Sequence, residues 1–117
     1  MSNAAKTVFY FGIYLLILGL TLLLTPNMLL NISGIPETNE VWIRVVGMLS
    51  LVLAFYYTQA ARAGLTSFFR WTVLVRSSVI LFFGAFVLMK WAPPVLILFG
   101  AIDLLGALWT RWALGKE

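Results

Sequence analysis

Apolar residues in this chain gather into four long runs separated by short polar interruptions, and nowhere do they alternate with polar ones. The runs cover about residues 7–24, 40–61, 67–90 and 94–114. Each has roughly the 20 residues an α-helix needs to cross a ~30 Å hydrocarbon layer. Amides inside lipid find no water to bond, so they must bond within their own segment, which selects helices. The period-two pattern of barrel strands is missing. The reading is therefore all-α: a four-transmembrane-helix bundle, antiparallel and up-down, with residues 1–117 as a single integral membrane domain. The first run reads as a retained span. Its apolar part is too long for a signal peptide, and no small-x-small cleavage site precedes Thr25-Pro26.

The polar interruptions carry their own signals. Thr25-Pro26 reads as an N-cap with proline at the first helical position, and Gly34 as a C-terminal stop. Asn27 to Ile32 is thus expected to form one short helical turn at the surface. Asn31-Ile32-Ser33 is formally a glycosylation sequon of little weight. Thr66 is expected to cap the third helix, which places Phe68 and Phe69 at headgroup level. Met89-Lys90-Trp91-Ala92-Pro93-Pro94 reads as a tight turn that makes the last two spans a hairpin. No internal repeat is evident.

Composition strengthens this class. Apolar residues make up 62% of the chain and charged residues 10%, where a soluble domain has about a quarter charged. The mean hydropathy is +1.01. A small globule cannot hide so much apolar surface, so lipid must be its solvent.

The few charges orient it. Lys6, Arg62, Arg70, Arg111 and Lys116 fall on the side of the two termini, whereas Lys90, Glu37 and Glu40 fall on the other. The positive-inside rule then puts both termini in the cytoplasm of an inner (plasma) membrane protein. Trp42 and Trp91 mark the outer boundary, and Trp71, Trp109 and Trp112 the inner one, as interfacial anchors do. The net charge of +4 is explained by topology, with membrane lipids as partners and no nucleic acid.

Absent residue types exclude much chemistry. There is no Cys and no His, which removes thiolate nucleophiles, iron–sulfur clusters and ordinary haem or zinc ligation. The acids are Glu37, Glu40, Asp103 and Glu117. Glu37 and Glu40, three apart near a helix start, could bind a cation but read as dipole partners. The expectation is no enzyme, no catalytic residue, no cofactor and no metal.

Three ionisable groups remain inside the runs: Arg44, Arg76 and Asp103. Asp103 lies nine residues after Pro94, hence roughly 13 Å deep at ~1.5 Å per residue. Each arginine sits about 6–8 Å from it along the membrane normal, within reach of a long side chain. A charge at the bilayer centre costs about 3 kcal/mol on insertion scales, and pairing lowers that cost. An intramembrane cluster of Asp103 with Arg44, Arg76 or both is therefore expected. It would act either as a clasp fixing helix register or as a proton or cation site. Small residues mark helix-packing faces: Gly12 and Gly19 in the first run, Gly47, Ala54 and Ala61 in the second, Gly100, Gly106 and Ala107 in the fourth.

The stretch Leu96-Ile-Leu-Phe-Gly-Ala-Ile-Asp103-Leu-Leu-Gly106-Ala-Leu resembles small bacterial four-helix integral membrane proteins and, more weakly, the DoxX-like superfamily. There an acidic residue is followed by apolar residues and glycine in a membrane helix. The likeness is confined to the last helix, and Asp103 stands where Glu is more usual. It implies a four-helix bundle and no particular chemistry.

Two function classes follow. One is a non-enzymatic interaction or accessory protein, or a binder of lipid or apolar small molecules, partnered by a second copy or a larger membrane protein. The other is a small proton-coupled transporter or channel, working as an oligomer with Asp103 as the coupling site.

Overall fold

The computed structural model describes residues 1–116 and contains helices only; Glu117 lies outside the described residues. Five helices follow one another: α1 (Asn3–Leu24), α2 (Pro26–Ile32), α3 (Trp42–Ala63), α4 (Thr66–Leu88) and α5 (Leu96–Gly115). All but α2 are long and apolar enough to cross a membrane. Large apolar side chains turn outward, as lipid-facing ones should: Leu74, Leu81 and Leu88, at every seventh position of α4, are 74%, 73% and 84% exposed.

Helix ends differ from the sequence reading where local hydrogen bonding decides them. The first helix begins at Asn3 instead of residue 7, because the Ser2 hydroxyl accepts from the Ala5 amide as an N-cap. Thr66 is not the cap of α4. It is the first helical residue, and Leu65 precedes it without a side-chain cap bond. The last helix starts at Leu96, two residues beyond the expected 94. The amides of Leu96, Ile97 and Leu98 bond three residues back to Pro93, Pro94 and Val95, a tight lead-in turn. The surface helix α2 has Pro26 at its start and ends ahead of Gly34, which holds φ +74°.

Three helix ends share one capping pattern. After α2, α3 and α4, the residue in left-handed conformation is Gly34, Gly64 and Lys90 respectively. In each, the next amide reaches back five residues, from Ile35 to Leu30, Leu65 to Ala60 and Trp91 to Phe86. This is the Schellman arrangement. At the α4 end it includes the customary apolar contact, with Phe86 and Trp91 ring centroids 6.1 Å apart. Lys90 occupies the position without the tolerance of glycine.

Packing is uneven. The most extensive contact is between α1 and α3, followed by α4 with α5, while α3 and α4 approach each other little. The α1–α3 seam is a backbone contact. A Cβ on Gly47 would stand 2.6 Å from the Leu23 nitrogen and 2.8 Å from the Gly19 carbonyl oxygen. One on Gly19 would stand 2.9 Å from the Leu51 nitrogen. Only hydrogen fits there. The buried core clusters Ala4, Ala5, Val8 and Phe11 with Ala54, Tyr57, Ala60, Ala61, Phe69 and Ala113, toward the end of the molecule that carries both termini. Tyr57 and Phe68 meet edge to face at 5.5 Å, joining α3 to α4 near the turn at Gly64.

Candidate functional site

On α5, Asp103, Gly106, Ala107 and Thr110 recur at three- and four-residue steps and so share one face. Ala107 and Thr110 on that face are fully buried. Two distinct environments occur along it, a polar knot at the terminal end and an apolar cleft toward α2.

The knot is built around Arg76 of α4, whose residue exposure is 2%. Its Nε donates to the Thr72 carbonyl at 3.3 Å, and its Nη2 donates to the hydroxyls of Thr72 at 3.1 Å and Thr110 at 2.8 Å. The Thr110 and Thr7 hydroxyls lie 2.7 Å apart and share a hydrogen bond. Thr7 also donates to the Ala4 carbonyl at 2.7 Å. The chain of bonds therefore ties α4 to α5 and α5 to α1. The guanidinium carbon sits 4.7 Å from the Phe11 ring centroid and 5.7 Å from that of Tyr57, within cation–π range. Its Nη1 is buried and has no hydrogen-bond partner.

The cleft has a volume of about 510 Å³ and touches all five helices. Val46, Ser50 and Leu53 of α3 form one wall, and Val79, Phe83 and Phe86 of α4 another. Leu29 and Leu30 of α2, with Ile35, also line it. The loop after α2 is fastened by the Thr38 amide, which donates to the Asn27 side-chain oxygen at 2.9 Å. Almost all of the lining is apolar, with Asp103, Tyr14, Ser33 and Ser50 as the polar exceptions. Ser50 bonds its own helix at the Val46 carbonyl, 3.0 Å away.

The expected site residues divide between these regions. Asp103 is half-buried and faces the cleft. Arg76 centres the knot. Arg44 belongs to neither: its Nη1 donates to the Leu23 carbonyl, satisfying a carbonyl in the last turn of α1, which basic side chains do favourably. Among the described residues no ion pair or hydrogen bond joins Asp103 to either arginine, so the expected direct pairing is not formed. Arg76 still lies close enough to Asp103 to interact with it electrostatically, as do Tyr14 and Tyr57. The reason for the offset is register along α5. Arg76 reaches the level of Gly106 and Thr110, where Nη1 stands 3.2 Å from the position a Gly106 Cβ would take. Asp103 is one turn away.

The packing residues fall at helix contacts. Gly47 meets α1, a Cβ on Gly100 would stand 3.1 Å from the Ile80 Cα of α4, and Gly106 would press a Cβ to 2.7 Å from the Phe11 ring. Ala54 is buried in the core. The threonines were missed by the charge-centred reading. Thr72 stands four residues before Arg76, and Thr110 seven after Asp103, both one-face spacings that hydroxyl donors in a span can use. No group of His, Cys, Asp or Glu suited to a metal ion occurs among the described residues.

No family model, curated protein or solved structure matches this chain. Function must be read from the geometry of knot and cleft.

Proposed function

We propose that this chain is a non-enzymatic, multi-pass membrane protein that binds one apolar, lipid-soluble molecule in the cleft walled by α3 and α4. The observation that carries it is a cavity of about 510 Å³ with an apolar lining and a few polar groups, the size and character of small-molecule sites. In this reading the four long helices form an antiparallel bundle in the inner membrane with both termini in the cytoplasm. The distribution of Lys and Arg supports that orientation. The knot at the terminal end holds α1, α4 and α5 in place while the cleft receives its occupant from the bilayer. Presenting or sequestering that molecule suits an accessory role beside a second copy or a larger membrane protein.

Photolabelling in nanodiscs with an alkyl diazirine tests the binding reading. Labelling is expected to concentrate on cleft residues such as Ser50 and Phe83 and to fall at least several-fold in Leu53→Trp, whose indole would fill the space. Labelling spread evenly over the lipid-facing surface and indifferent to Leu53→Trp would remove the site.

A further inference from the structure

The cleft is walled almost entirely by apolar side chains, yet a carboxyl group belongs to its lining. Asp103 is the one Asp, Glu, Lys or Arg among the residues that line it. Among the described residues its carboxylate makes no hydrogen bond or ion pair. The buried side-chain atom left without a partner is Nη1 of Arg76, so the unbonded oxygens of Asp103 are not sealed within protein. They are open, and the cleft is where Asp103 lies.

The cations within the spans are committed elsewhere. Arg44 donates to the Leu23 carbonyl. Arg76 is outside the lining of the cleft. It bonds Thr72 and Thr110 and lies over the Phe11 and Tyr57 rings. It tempers the charge of Asp103 through space but presents no donor to the cleft. Charge complementarity therefore falls to whatever occupies the space.

The chemistry of a carboxylate narrows that occupant. Ionised, it only accepts hydrogen bonds, and a lone charge in hydrocarbon is costly. An alcohol supplies a donor without charge, and an acid adds charge of the same sign. A protonated amine supplies both donor and opposite charge, and charge-assisted bonds are roughly twice as strong as neutral ones. The walls suit a cation as well, since Phe82, Phe83, Phe86 and Phe99 line them and aromatic faces attract positive charge. On α5 the lining runs from Leu96 through Phe99 to Asp103, about 10 Å of helix at ~1.5 Å per residue. An apolar body attached to the amine has that length to lie along.

We propose that the cleft takes a lipophilic amine, with one protonated nitrogen held at Asp103 and an apolar body lying along Phe99 and Leu96. This deepens the binding reading and rests on it.

Competition against the alkyl diazirine separates the two levels. It uses phosphatidylcholine nanodiscs at neutral pH and three probes of equal chain length, laurylamine, lauryl alcohol and laurate, each compared at equal concentration in the bilayer. In the wild type the amine is expected to compete on the order of tenfold more strongly than the alcohol, and laurate least. Asp103→Asn, compared at matched monodispersity, should shrink the advantage of the amine at least several-fold, whereas Asp103→Glu, which keeps the charge, should retain it. The wild-type ranking decides the matter even where a substitution at Asp103 disturbs folding: an amine no better than the alcohol overturns the proposal. An amine advantage that survives Asp103→Asn overturns it too. If alcohol and amine compete equally and Leu53→Trp blocks both, the cleft stands as a binding site without the amine. Failure of all three probes, with labelling untouched by Leu53→Trp, removes the binding reading itself.

Discussion

The two ends of this molecule are packed by different means. At the terminal end α1, α3, α4 and α5 close on one another through Ala4, Ala5, Ala60, Ala61, Ala107 and Ala113, all 5% exposed or less, and through the Thr7–Thr110–Arg76–Thr72 bonds. Toward α2 the facing residues are large, with Leu53, Phe83 and Phe86 standing across a cleft of about 510 Å³. In water, exposed leucine and phenylalanine would draw the walls together. In lipid they gain nothing by leaving the chains of the bilayer, so helices meet only where small residues or hydrogen bonds supply a contact. An apolar gap is therefore stable.

The comparison can be broken most forcefully at the seam that both ends share. Gly47→Val places atoms into the Leu23 and Gly19 backbones, and overpacking of this kind costs about 3 kcal/mol or more. A strong fall in thermal midpoint in detergent, with loss of monodispersity, is expected; a stable, unchanged variant would show that α1 and α3 do not touch as described.

Next in size is Thr110→Val, which keeps the shape but removes an acceptor for Arg76 and the bond to Thr7. The loss should be about 2 kcal/mol, the scale of a charged hydrogen bond together with an interhelical one. Equilibrium unfolding in mixed micelles measures it. The same change should leave cleft labelling intact, because the knot and the cleft are separate regions of α5. Loss of labelling alongside would merge them.

Lys90→Gly is smaller again and has the opposite sign. Lys90 holds φ +61°, a conformation that costs a side-chain-bearing residue roughly 1 kcal/mol and glycine nearly nothing. The variant should unfold about 1 kcal/mol later, unless Lys90 bonds a headgroup, in which case the gain shrinks as anionic lipid is added. Leu53→Trp, made to fill the cleft, should move stability by less than about 0.5 kcal/mol, as substitutions at unconstrained surfaces do. A large loss there would mean that the cleft walls depend on each other after all.

Legibility differed between fold and site for a physical reason. Four spans are a property of consecutive apolar residues, and Pro26, Gly34 and Gly64 act through their own backbone preferences. These are local, and the chain displays them directly. Gly47 and Gly106 were also visible as small residues on a face. Their partners were not, since a small residue does not say whether a carbonyl, as for Gly47, or a phenylalanine, as for Gly106, will fill the space it leaves.

Asp103, Arg44 and Arg76 stood out by cost alone: charge in an apolar run demands compensation. Depth along the membrane brought each arginine within reach of Asp103, but reach is not contact. Arg44 turned instead to an unsatisfied carbonyl of α1, and Arg76 to two threonines. Sequence by itself determined the all-helical class, the four apolar spans, the punctuation between them and the residues whose charge needed an answer. Only the tertiary structure decided that the answer is a hydroxyl knot one turn from the carboxylate, and that Asp103 is left facing a cleft. The choice among partners depends on helix rotation and register to within a single turn of about 5.4 Å, and those follow from how whole helices pack, as where Gly47 of α3 meets α1 and Gly100 of α5 meets Ile80 of α4.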